Sequence, residues 1–108
     1  MPPLGPRDHR ITLAEAKAHT RRHRETLGHK HDEADHGGAF HADQVMAILK
    51  QKGCVALRVY HGRNEKGRRS LVLLGVDQDN KDMSDGLICE LCWGCPPWCD
   101  TNSPILSG

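Results

Sequence analysis

Aromatic side chains are scarce: two Trp, one Tyr and one Phe in 108 residues. With an apolar fraction of 37% against 27% charged, a chain of this size supports one small core over part of its length and excludes two sizeable domains. Long apolar runs are missing as well. The strictly apolar stretches, Val45 to Leu49 and Leu71 to Leu74, the latter continued by Gly75 and Val76, are far too short to span a bilayer. The start of the chain has no apolar signal stretch, so the expected location is the cytoplasm, with an extracellular one left open for a chain exported by another route or already processed. Absent too are a phosphate-binding loop, a dinucleotide fingerprint and a nucleophile elbow, so the sequence names no reaction and the expectation is a protein that is not an enzyme.

Neither sign of charge is lacking, but the two are kept apart. Residues 1–35 carry seven Lys/Arg and six Asp/Glu, residues 36–76 seven and two, and residues 77–108 one and six, giving +1, +5 and −5. A basic middle joined to an acidic end finds its partner most readily in the same chain or in a second copy. Self-association is therefore expected, including an extended homo-oligomer, with another protein as the further candidate. A nucleic-acid module built on Arg63, Lys66, Arg68 and Arg69 ranks last, because only Tyr60 stands near it to stack on bases.

Local signals predict an α+β fold, with two helices packed on a small three-stranded antiparallel sheet. Residues 1–10 hold three prolines and no hydrophobic period, and read as an arm. Thr12 followed by Glu15 forms a capping box, so a helix is expected over about 12–27, closed by Gly28. The polar, His-rich stretch 28–40 reads as a loop. Ala42, Val45, Ile48 and Leu49 share one side of a second helix over about 41–52. Strands are expected at 54–61, 69–76 and 86–91, the first two as a hairpin. Together, residues 11–91 make the domain, and 89–108 a Cys-rich segment ending in a tail.

That segment carries the unusual chemistry: Cys89-Glu-Leu-Cys92-Trp-Gly-Cys95-Pro-Pro-Trp-Cys99. As thiolates, Cys89, Cys92, Cys95 and Cys99 can converge on one zinc ion, because a Cys-x-x-Cys turn aims both sulfurs into the same space. The same spacing resembles the run that binds 4Fe-4S clusters in bacterial ferredoxins, which implies a cluster and electron transfer. The resemblance covers these residues alone and departs in two ways: Asp100 stands where that family has proline, and the run has no second copy. The third use is covalent, as disulfides or a cycling dithiol, in which case no cofactor is needed. Cys54, at the head of a strand, reads as a small buried apolar residue.

Histidines supply weaker ligand candidates. His19 and His23 stand one helical turn apart, but Arg21, Arg22 and Arg24 surround them and oppose a cation. His29, His31, His36 and His41 alternate with Asp32, Glu33 and Asp35 in the loop, a set that can ligate a divalent ion or titrate near neutral pH. Residues 77–82 resemble a calcium loop only faintly, since Lys81 occupies a ligand place, and a hairpin turn is the expected reading. The combined expectation is a non-enzymatic, metal-binding or disulfide-stapled protein for binding or assembly, with a redox protein, either a 4Fe-4S carrier or a dithiol partner of a larger enzyme, as the rival.

Overall fold

The structure, a computed structural model, describes residues 2–28 and 33–107. In chain order the elements are α1 (Leu13–Leu27), β1 (Gly37–Ala39), α2 (Ala42–Leu49), β2 (Cys54–Arg63), β3 (Arg69–Asp77), β4 (Ile88–Cys89), β5 (Trp93–Cys95) and α3 (Pro104–Ser107). The class is α+β. Its two antiparallel sheets have the orders β2-β3-β4 and β1-β5. No helix of the described residues is long and apolar enough to cross a membrane. The chain divides into two compact units, the first of Met1–Arg7 and Phe40–Cys92, the second of Asp8–Ala39 and Trp93–Gly108.

The first unit is built on the β2–β3 hairpin, which pairs from Cys54↔Asp77 to Arg63↔Arg69 with an irregularity between Cys54 and Ala56. Its turn is closed by Asn64, whose side-chain oxygen accepts the Lys66 and Arg68 N–H groups at 2.9 and 3.0 Å. Gly67 there has φ 77°, a conformation that a β-carbon would strain. Register places Leu57 and Val59 with Gly75 and Leu73 on one face, and Arg58 and Tyr60 with Leu74 and Val72 on the other. Helix α2 packs against β2 and β3. Ile48 from the helix is fully buried at 0% exposure, and Leu73, Leu74 and Val76 lie at 4, 5 and 1%. Each such side chain contributes about 1.5–3 kcal/mol on leaving water.

The predicted third strand shrinks from 86–91 to Ile88–Cys89. Gln51, just past α2, explains this: its Nε2 donates to Ile48 O at 2.9 Å while its Oε1 accepts the Leu87 N–H at 2.8 Å. A side chain thus takes the donor that a longer strand would use. Beyond the strand, Leu91 turns to positive φ and stands 90% exposed. The second helix is likewise shorter than 41–52. Its last turns give way at Gln51, where the Ile48 carbonyl accepts the backbone N–H, before Gly53 at φ 87°.

Within the first unit α2 packs on the sheet, and within the second α1 packs against α3. The capping box of Thr12 and Glu15 starts α1 as expected. Its apolar stripe, however, buries no residue. Polar ties help to fix the helix beside α3. The Thr20 hydroxyl and Arg24 Nη1 both donate to the Ile105 carbonyl at 2.8 Å. Residues expected as a tail therefore fold into α3, where Ser103 Oγ accepts the Ile105 N–H at 3.2 Å and Pro104 occupies the first turn. The N-terminal arm also has a place, since Leu4 donates its N–H to Gln78 O at 3.2 Å in the first unit.

Candidate functional site

The second unit brings sulfur, imidazole and a cavity together. β1 is Gly37–Ala39, a segment with no strand propensity, and it pairs with β5 in the register Gly37↔Cys95, Gly38↔Gly94 and Ala39↔Trp93. What allows the approach is a missing side chain: a β-carbon on buried Gly94 would lie 2.9 Å from Ala34 Cβ and 3.1 Å from its backbone nitrogen. Around this contact the Ala34 N–H donates to Pro96 O at 2.9 Å, and the His36 and Trp98 N–H groups donate to Cys95 O and Gly94 O, each at 2.8 Å. His23 Nε2 donates to the Asp35 carbonyl at 2.6 Å, tying α1 to the same strand entry.

Cys95 and Cys99 form a disulfide with Cα atoms 4.7 Å apart. The Cys95–Pro96 and Pro96–Pro97 peptide bonds are cis. A cross-link closing so short a loop removes little unfolded-state entropy, about 2 kcal/mol, near the low end for disulfides. Both cysteines are half-buried and stand in the wall of a cavity of about 340 Å³. Trp98, Ile105 and Leu106 give that wall apolar surface, and His23, Arg24, His36 and Asp100 give it titratable groups. Its size is that of a small-ligand or side-chain pocket.

The four clustered thiols are divided between the units. Cys89 and Cys92 belong to the first, where the Cys89 thiol faces Gln44 Oε1 of α2 at 3.9 Å; Cys95 and Cys99 belong to the second and are bonded to each other. Among the described residues no group of three or more His, Cys, Asp or Glu side chains is placed to hold a metal ion. Of the histidines, His23 and His36 share the cavity wall, and His19 is exposed on α1. His41 serves as the N-cap of α2, its Nδ1 accepting the Asp43 N–H at 3.2 Å. His29 and His31 lie outside the described residues. Cys54 is half-buried, and its thiol donates to Ala56 O at 3.3 Å beside the β2 irregularity.

Sequence reasoning missed Trp98, Arg24 and Ile105 as cavity residues. Trp98 carried a usable signal, an aromatic between two cysteines of a proline-stiffened loop. Residues 77–82 form the expected turn: Asp77 Oδ1 accepts the Asp79 and Lys81 N–H groups at 2.9 and 3.0 Å. Next to it the Tyr60 hydroxyl donates to Asp82, Arg58 donates to Asn80, and the Arg58 Nε stands 3.3 Å from Asp82 Oδ1 without aiming its N–H at it. The hydrogen bond to the Asp82 carboxylate raises the Tyr60 pKa above its ordinary value. No protein-family model, curated protein or solved structure matches this chain.

Proposed function

We propose that this protein is a non-enzymatic, disulfide-closed binding module that assembles with copies of itself through the edges of its three-stranded sheet. One observation carries the reading: opposite charges stand at opposite edges. β2, ten residues long, is one edge, and it brings Arg63 and the basic turn with Lys66 and Arg68. β4 is the other, flanked by Asp85 and Glu90, while Asp82 turns back to Arg58 and Tyr60 of β2.

A long edge strand presents a row of N–H and C=O groups ready to pair with a further strand. Val55 and Val59 on β2 are 54 and 50% exposed, and Leu87 and Ile88 at the acidic edge 49 and 53%. A basic edge of one copy meeting the acidic edge of the next is a heterologous contact, which closes into a ring or grows as a filament. Sedimentation velocity of the full chain tests this. Assemblies are expected at low ionic strength, and monomer at about 1 M salt, where the screening length falls to about 3 Å. A monomer at every salt concentration contradicts the proposal.

A further inference from the structure

We propose that the Cys95–Cys99 disulfide is a reversible, stoichiometric thiol–disulfide exchange site whose redox partner is a dithiol protein that docks on Trp98. Exchange requires a bond that a thiolate can reach and a fold that tolerates its opening. Access comes from the cavity of about 340 Å³, whose wall contains both cysteines. Tolerance comes from the backbone, which is held at Cys95 by the pairing with Gly37 and the His36 N–H, at Pro96 by the Ala34 N–H, and at Trp98 by its bond to Gly94 O. None of these bonds involves sulfur. After the disulfide opens they keep the two thiols in the same short loop, ready to close again.

The surroundings suit both steps. A sulfur leaving as thiolate is released at a cavity whose wall also holds Arg24, His23 and His36, together with the Asp100 carboxylate. Trp98, set between the two cysteines, is 67% exposed. An aromatic of that size held out of its own fold is the kind of anchor that partner proteins bury.

The chemistry balances as a two-electron exchange. A thiolate of the reduced partner attacks one sulfur of the pair; that S–S bond breaks, a mixed disulfide forms, and the other sulfur leaves with the electron pair and takes up a proton. The partner's second thiol, losing its proton, then attacks the mixed disulfide. Cys95 and Cys99 end as thiols, and the partner ends as the disulfide. The reverse sequence oxidises a partner dithiol.

Three readings on the full chain at high salt, where assembly plays no part, test the proposal. Wild-type protein is titrated with dithiothreitol under native conditions, thiols are mapped by alkylation and mass spectrometry, and far-UV circular dichroism follows the fold. Reversible alkylation at Cys95 and Cys99 with an unchanged spectrum is expected. Labelling only after denaturation, or loss of the spectrum on reduction, overturns the proposal. Thioredoxin lacking its resolving cysteine, mixed with the wild-type disulfide form, should accumulate a mixed disulfide at Cys95 or Cys99 with the displaced cysteine appearing as a free thiol, and no adduct at either counts against the proposal. Trp98→Ala should slow exchange with thioredoxin about tenfold while leaving exchange with dithiothreitol unchanged. Equal rates with thioredoxin, or equal slowing with both reductants, overturn the docking role.

Discussion

The two units of this chain are held together by opposite means. In the first, Ile48, Leu73, Leu74 and Val76 bury aliphatic surface between one helix and a sheet. In the second, the described residues that are buried are Ala34, Asp35 and Gly94, and α1 buries none. Cross-ties do the holding there: two side chains from α1 on the Ile105 carbonyl, His23 on Asp35, a three-pair ladder and one disulfide. Where the sequence supplies leucine and valine in alternation, burial suffices. Where it supplies histidine, glycine and cysteine, hydrogen bonds and a covalent link take over.

Single substitutions can break this contrast from either side. The largest effect is expected for Ile48→Ala, which opens a cavity in the apolar unit and should cost about 2–5 kcal/mol in thermal or denaturant melts. Both tryptophans, Trp93 and Trp98, belong to the second unit, so their fluorescence should change little at the midpoint of that loss. Gly94→Ala is the complementary test. Its new β-carbon meets the Ala34 backbone at 3.1–3.2 Å, and the overpacking should cost about 1–3 kcal/mol. Here the fluorescence transition should shift while amide exchange in β3 stays slow. Parallel losses by both probes in both variants would mean that the units melt as one.

Smaller effects sharpen the picture. Thr12→Ala removes the capping box and should destabilise α1 by about 1 kcal/mol, read as faster exchange of the first-turn amides. The smallest effect concerns Tyr60, the chain's one tyrosine. Its pKa is raised by Asp82, so the stabilising contact is present below the ordinary tyrosine pKa and is lost as pH climbs through the raised one. Absorbance at alkaline pH should place the midpoint above 10.0 and return it toward that value in Asp82→Asn.

Elements with local causes were legible in the sequence. The capping box announced α1, the alternation of residues 54–61 and 69–76 announced the hairpin, and the α+β class followed. What escaped depended on contacts distant in the chain. β1 exists because Gly94 admits Ala34, and no property of Gly-Gly-Ala reveals that. α3 exists because Ile105 meets Thr20 and Arg24. The division into units follows from the same pairings of residues 8–39 with the C-terminal segment. At the site, the sulfurs were legible as reactive chemistry, but four cysteines allow three pairings and spacing does not choose among them. His23 and His36 were legible as candidates one by one. Their meeting in one cavity wall was not, since a strand pair fixes His36 and a helix carries His23.

The contrast between the units is tested most directly by native-state hydrogen exchange, resolved by mass spectrometry, with and without a reductant. The β3 amides around Leu73, Leu74 and Val76 should be the slowest in the chain and indifferent to the reductant. Those of α1, β1 and β5 should exchange faster, and reduction should speed them by up to about thirtyfold, the equivalent of the disulfide's roughly 2 kcal/mol. Equal protection in both units, or acceleration of β3 together with β5 on reduction, would contradict the account.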